Sequence, residues 1–489
     1  MTDRQLALQR SVAVAPAPAT DPTVKGAGAS VPRLPVRPPR GGMQHRYVPK
    51  HDSRRERRFY VTTTAKFWIA LTIANVWTAL SVWVSLSWIR ELAVHITMVP
   101  AIVTVTLLAF VPGHLVSFLA AAVVLDKQPR FAPTKRRTAV TVLIAARNEA
   151  GAIGDTVRYL ARQDYRGQLH VMLVDNGSSD GTADVARATA RKTGMKLQVL
   201  TETTPGKSNA LNSGLLAATT PVVITVDADT LLHRSAIRVL VARLESGPPD
   251  VLAVAGNVQV RNSRENIWTR VQTWDYLLGI AAVKRAQGLF QGTLVAQGAF
   301  SAYRTEALRA AGGWPDAIGE DIVLTWKMMQ HGRVFYEPLA MAFTTAPATL
   351  HSLTRQRSRW ARGMIEGIRT VPPWRQRSFI AIALCSVDLA IPFLDVAYVF
   401  LWWPGVVLAC TGRFWVVGPM TIAVIPMTLA LYGILYRYQH QQVLKPLGLR
   451  PRRDKRGLLL FLLVYQLLMS TVSVLGYGQE LLRLRRSWK

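Results

Sequence analysis

Cysteine is almost missing. The chain has 489 residues and two cysteines, Cys385 and Cys410, both inside apolar runs. Neither a disulfide framework nor a cysteine-based metal site follows from such usage. Acidic residues are scarce as well: 29 Asp and Glu stand against 59 Lys and Arg, a formal net charge of +30. That imbalance suits a nucleic-acid binder, or a membrane protein with basic cytoplasmic loops. Uninterrupted apolar runs favour the membrane protein, and hydrophobic residues make up 50% of the chain. An early apolar stretch is also lacking. The first apolar run begins only after about sixty-five polar residues, whereas a cleavable signal lies within the first ~30. No internal repeat is evident.

What the chain does have is segment structure. Residues 1–65 are rich in Pro, Ala and Arg (VPRLPVRPPRGG, then SRRERR). This head reads as disordered and cytoplasmic, with a basic end suited to anionic lipid. Five apolar segments reach the ~20 residues that a helix needs to cross a bilayer. They cover about 66–89, 96–125, 379–410, 415–436 and 458–477, with RELAVH as a short link after the first. The chain therefore divides into two transmembrane helices over 66–125, a cytosolic domain over 126–349, interfacial amphipathic helices over 350–377, about three transmembrane helices over 378–480, and a basic tail over 481–489. Basic residues near the segment ends place the head, Lys135-Arg136-Arg137 and LRPRRDKR on the cytoplasmic side. The expected location is the inner or plasma membrane, crossed several times. A fifth crossing puts the basic tail outside, against that rule. Either the tail is an exception, or the third or fifth segment does not cross.

Between the second and third segments the pattern changes to strands alternating with helices. AVTVLIAA (139–146), HVMLV (170–174), KLQVL (196–200) and PVVITV (221–226) read as buried strands. Helical patterns lie between them, including SNALNSGLLAA. Such alternation implies a mostly parallel sheet with right-handed crossovers. Ligands then sit beyond the carboxyl ends of the strands. Polar residues collect there: ARNE (146–149), DNGSSDGT (175–182) and DADT (227–230). Arg147, Asp175, Asp227 and Asp229 are expected to converge on that edge.

Residues i and i+2 of an extended chain project to the same side. Asp227 and Asp229 are therefore placed to hold Mg²⁺ or Mn²⁺, which take oxygen ligands and bridge to phosphates. The ordinary source of Asp-x-Asp is a turn or helix cap. Its place after a buried strand, beside a second Asp-ended strand, favours the metal. Lys207, in TPGKSNALNSG, begins a helix whose N-terminus already attracts anions; a solvated lysine is the alternative. Glu320-Asp321, in GGWPDAIGEDIVLTWKM, begins another helix. They complement its dipole or supply a general base.

The ordered set LIAARNEA, VDNGSSDGT, GKSNALN, VDADT, AQGAFSAYR, GEDIVLTWKM and QRSRW resembles the processive membrane family 2 glycosyltransferases. That group includes the poly-N-acetylglucosamine, chitooligosaccharide, hyaluronan and cellulose synthases. The resemblance covers most of residues 140–367 and leans toward the poly-N-acetylglucosamine synthases. It implies a GT-A type, Rossmann-like, mostly parallel α/β domain embedded between transmembrane helices. By resemblance, Asp175 contacts the nucleotide base, Arg147, Lys207 and Asp227 belong to UDP binding, and Asp227 with Asp229 binds a divalent cation. Asp321, with Glu320, is the proposed base, and Gly298 shapes the acceptor end of the pocket. Gln356, Arg359 and Trp360 match the Gln-x-x-Arg-Trp signature of processive enzymes. Two positions depart from the pattern: Asn176 stands where many relatives have Asp, and Gly319 where many have Thr.

The implied partners are a UDP-sugar, a growing polysaccharide, membrane lipids and accessory export or regulatory proteins, with no nucleic acid. In a helix over RQRSRWARG (355–363), Gln356, Arg359, Trp360 and Gly363 share a face. Arg355, Arg357 and Arg362 are left to the lipid surface. Asp388, Asp395 and the tryptophans Trp68, Trp77, Trp83, Trp88, Trp402 and Trp403 are candidates for a polar path through the membrane; packing and interfacial belts are the alternative for each Trp.

Overall fold

The computed structural model describes residues 61–126, 137–449 and 454–484. The basic head, Lys135-Arg136, half of the LRPRRDKR loop (450–453) and the end of the tail lie outside the described residues.

The soluble region is built on an eight-stranded sheet. Its strands are β1 (Val140–Ala146), β2 (Leu169–Asp175), β3 (Leu197–Thr201), β4 (Val222–Val226), β5 (Leu231–Leu232), β6 (Val251–Val260), β7 (Phe300–Arg304) and β8 (Arg333–Thr344). Spatial order is β3-β2-β1-β4-β7-β6-β8-β5. The first four strands pair in parallel, as their apolar runs and intervening helices predict. One crossover helix, Lys207–Ala217, packs so closely that a Cβ on Gly214 would stand 2.9 Å from Leu143 Cδ2.

The far half is mixed. β7 runs antiparallel to both β4 and β6, β8 is parallel to β6, and β5 is antiparallel to β8. The expected mostly parallel sheet therefore holds for one half only. An apolar strand looks alike in either direction, so only the connections decide which way it runs.

Register fixes where the site must be. Ala146 pairs with Asp175, and Asp175 pairs with Thr201. Arg147, Asp175 and, one residue past β4, Asp227 thus leave the sheet at one edge.

Among the described residues four helices are long and apolar enough to cross a membrane: Thr63–Val84, Met98–Val124, Phe379–Cys410 and Lys455–Leu481. The remaining apolar segment of the sequence is also helical, over Pro419–Tyr438. The RELAVH link is not a loop. It lies within a separate helix, Leu86–Ile96, with Ile89 and Leu92 buried. Two features expected of a polar path are instead packing contacts. Asp395 accepts from Ser470 Oγ and Tyr477 Oη, each at 2.6 Å, which ties the third candidate span to the last. Trp68 stacks on Phe379 at 5.9 Å, and Trp88 donates to the Trp415 carbonyl at 2.9 Å.

Candidate active site

The end of β2 organises a loop cluster. Asp175 accepts from the Ser178 amide at 3.3 Å and from the Ser178 hydroxyl. Asn176 is buried and bridges to the next loop. Its amide nitrogen donates to the carbonyls of Glu202 and Thr204, at 3.1 and 2.7 Å. Its Oδ1 accepts from Gly206 N at 2.8 Å. A carboxylate has no N–H to give those carbonyls, so Asn at this departure from the family pattern has a structural use. Gly206 sits at φ +141, where an L side chain is strained. Lys207 follows it at once, so Asn176 and Gly206 together fix where the lysine enters.

Lys207 is the hub of the charged cluster. Its Nζ lies 2.8 Å from Asp227 Oδ1 and 3.5 Å from Glu320 Oε1. Burial alone would lower the ammonium, but Asp227 and Glu320 hold it above the usual lysine range. Gly298 closes the side of this cluster: a Cβ there would stand 2.9 Å from Lys207 Nζ. Two consecutive elements, the helix Lys207–Ala217 and β4, thus meet the distant helix Glu320–Met329 at one charge.

Asp229 turns the other way. It accepts from Thr344 Oγ1 at 3.1 Å and from Thr345 N at 3.3 Å, past the end of β8. Burial raises its proton affinity, and the negative charge of Asp227 raises it further. A cation between the two carboxylates would relieve that repulsion. Both are hard oxygen donors, so the pair fits Mg²⁺ or Mn²⁺. Among the described residues no group of three or more His, Cys, Asp or Glu side chains is placed to hold a metal. An ion here would rely on substrate phosphate oxygens and water for the rest of its shell, as Mg²⁺ commonly does.

Glu320 and Asp321 open the helix Glu320–Met329, as the sequence suggests. Burial pushes Glu320 up from the usual 4.5 to about 7; Lys207 opposes the shift and Asp321 adds to it. A carboxyl raised in the fold binds its proton more tightly there than in the unfolded chain. Its stabilisation is complete below about pH 4.5 and is lost as pH rises through about 7. Glu320→Gln should flatten that part of the stability–pH curve, measured by thermal unfolding in detergent between pH 4.5 and 7.5.

Lys284 was not evident in the sequence. Its Nζ donates to the Val295 carbonyl at 2.9 Å and to Gln297 Oε1 at 2.5 Å. Burial lowers the ammonium to about 8, against the pull of Asp321. It therefore anchors the loop that carries Gly298. In AAVKRAQGLF it stands beside Arg285 and Gln287, so nothing in the sequence pattern sets it apart.

RQRSRWARG lies in a helix, Leu350–Thr370, opened by a Thr349/Ser352 capping box. Arg359 and Trp360 are exposed. The Trp360 ring stands 6.4 Å from the ring of buried Tyr276. Gln356 presents a buried Oε1 with no hydrogen-bond partner among the described residues. The expectation for Arg357 and Arg362 fails. Arg357 Nη2 pairs with Asp275 Oδ2 at 2.5 Å, and its guanidinium lies 4.3 Å from the Trp360 ring centroid. Arg362 pairs with Glu480 at 3.2 Å and donates to the Leu484 carbonyl at 2.9 Å. Both are taken up by protein, because the helix packs between the sheet domain and the last apolar helix. Arg355 alone of the three stays exposed. Arg357→Ala leaves a largely buried Asp275 without its cation. Breaking such a pair costs about 3–5 kcal/mol, so melting in detergent should drop by several degrees.

With this geometry in place, known proteins can be compared. Residues 137–363 match the model described as "Glycosyltransferase like family 2". Over those residues the chain is similar to family 2 glycosyltransferases. A poly-beta-1,6-N-acetyl-D-glucosamine synthase of Staphylococcus aureus is 34% identical over 226 residues, 46% of this chain and 54% of that protein. The same-named protein of Staphylococcus epidermidis is 32% identical over the same span. The match thus covers about half the length of each relative. Among solved structures, a mannosyltransferase from Pyrobaculum calidifontis in complex with GDP-Man and Mn²⁺ aligns with a TM-score of 0.53 at 22% identity, covering 78% of this chain and 99% of that one. The likeness supports the fold of this glycosyltransferase domain.

Proposed function

We propose that the chain is a processive, inverting glycosyltransferase that polymerises a β-linked polysaccharide from a UDP-sugar, with UDP-N-acetylglucosamine as the leading donor. The observation that carries the reading is the meeting of Asp227, Lys207 and Glu320, the residue next to Asp321, at one sheet edge. A nucleotide-sugar diphosphate needs fixed positive charge where the leaving group develops, and a base beside the acceptor. Lys207 supplies the first. Asp321, at the start of its helix, supplies the second by taking the proton of an acceptor hydroxyl. That oxygen attacks the anomeric carbon as the bond to UDP breaks, which inverts the centre. Arg359, exposed beside Trp360, adds positive charge toward the departing UDP. A divalent cation on Asp227 and Asp229, when bound, would neutralise diphosphate charge.

Asp175 and Arg147 are assigned to the nucleotide, Gly298 and Gln356 to the acceptor side, and Trp360 to stacking on the acceptor sugar. The names of the staphylococcal relatives support the lean in donor. We further place the domain on the cytoplasmic face of the membrane, since basic residues cluster near the ends of the apolar segments. Its product would pass outward among the apolar helices. UDP release from purified full-length protein, assayed against a panel of UDP-sugars, tests this proposal. Release with UDP-N-acetylglucosamine above all others is expected; no release with any UDP-sugar would overturn it.

A further inference from the structure

The residue before the Glu320-Asp321 pair is Gly319, where many relatives carry Thr. The structure gives the reason. The helix Leu350–Thr370 crosses this loop backbone to backbone. A Cβ on Gly319 would stand 2.7 Å from Gly363 Cα, and one on Gly363 would stand 2.8 Å from Gly319 Cα. No side chain fits on either partner without moving the crossing apart. The same helix then reaches back to the loop through Glu366. Its Oε2 accepts from Ile318 N at 2.7 Å and from Gly319 N at 3.3 Å. One turn on, Gly367 lies against the Ile322 side chain: a Cβ there would stand 3.3 Å from Ile322 Cγ2.

Glu366 is buried and stands out as an acid within RQRSRWARGMIEGIR. Two of its partners are the amides that precede the helix carrying Glu320 and Asp321. A carboxylate holding two N–H groups fixes a loop by charge-assisted hydrogen bonds. An ordinary helix cap would stabilise the fold by the same contact. What separates the two roles is the neighbourhood. The helix bearing Glu366 also carries Gln356, Arg359 and Trp360. It is itself clamped by the last apolar helix: a Cβ on Gly476 would stand 2.8 Å from the Ser358 carbonyl, and Ser358 Oγ bonds Gln479 at 3.1 Å. The loop before Asp321 is thus referenced to the acceptor-side helix and not only to the sheet.

We propose that Glu366 is a positioning residue, which sets Asp321 relative to the acceptor through the Ile318 and Gly319 amides, with the Gly319–Gly363 crossing as its fulcrum. The proposal rests on the reading of Asp321 as the base. A base displaced by about 1 Å loses roughly 10²-fold in rate, while donor binding, set at Asp175 and Lys207, is untouched.

The test uses full-length protein in detergent with UDP-N-acetylglucosamine, scoring kcat, KM and the affinity for UDP alone. Glu366→Ala should lower kcat by roughly 10²-fold and leave KM and UDP affinity near wild type. Glu366→Gln keeps an acceptor oxygen and should restore most of kcat. Gly363→Ala, which adds a methyl at the crossing, should lower kcat in the same way. In an Asp321→Asn background Glu366→Ala should add no further loss. Wild-type kcat in Glu366→Ala overturns the positioning role while Asp321→Asn stays inactive; wild-type turnover in Asp321→Asn overturns the base instead. Should Glu366→Ala lose UDP binding through misfolding, Gly363→Ala that binds UDP and turns over normally also overturns the proposal.

Discussion

Asp321→Asn is expected to bind UDP as the wild type does and to lose turnover by roughly 10²–10⁴-fold. Asn is nearly isosteric. Its side-chain oxygen still accepts the bond from Ile322 N, which is 2.9 Å in the native loop. The helix start is therefore preserved, and only the ability to take a proton is lost. Glu320 Oε1 instead faces Lys207 at 3.5 Å. Turnover is read as UDP release under saturating donor, and UDP affinity is measured separately. Near-wild-type turnover would remove Asp321 as the base.

Asp229→Ala should abolish the metal dependence of UDP binding and lower turnover by roughly 10²-fold or more, the range for losing one charge-stabilising group. Its carboxylate is placed by Thr344 and Thr345 rather than by Lys207. Removing it leaves the Lys207–Asp227 pair at 2.8 Å intact. The variant should thus retain the metal-free affinity for UDP. Asp229→Asn, which can still accept from Thr344, should behave alike if charge is what matters. UDP titrations with Mn²⁺ and with EDTA decide it. Wild-type affinity with Mn²⁺ in either variant would count against the metal role.

Much of this site was readable before any coordinates. β1, β2 and β4 are continuous apolar runs ending in polar residues, so Asp175, Asp227 and their common edge followed from pattern alone. Lys207 and Glu320 at helix starts followed from Gly-Lys and Gly-Glu-Asp. Their contact did not, because Lys207 and Glu320 are more than a hundred residues apart. The four arginines of RQRSRWARG show the other limit. Helical spacing says which residues share a face. It does not say that Asp275 and Glu480 come from distant segments to take Arg357 and Arg362 out of the lipid. In the sequence Asn176 is only a departure from the family pattern. Its need for an N–H appears only once the loop 202–206 folds against it. Helical spacing puts Gly363 on the face of Gln356, Arg359 and Trp360; that its close partner is the backbone of Gly319 appears only in the fold.

The length of the product tests the central claim most directly. Purified full-length protein in lipid vesicles, supplied with UDP-N-acetylglucosamine and Mn²⁺, should yield long polymer while only a small fraction of the donor has been consumed, sensitive to a glycosidase specific for β-linked N-acetylglucosamine. A product that stops at one added sugar, on lipid or on a short acceptor, would contradict processive synthesis.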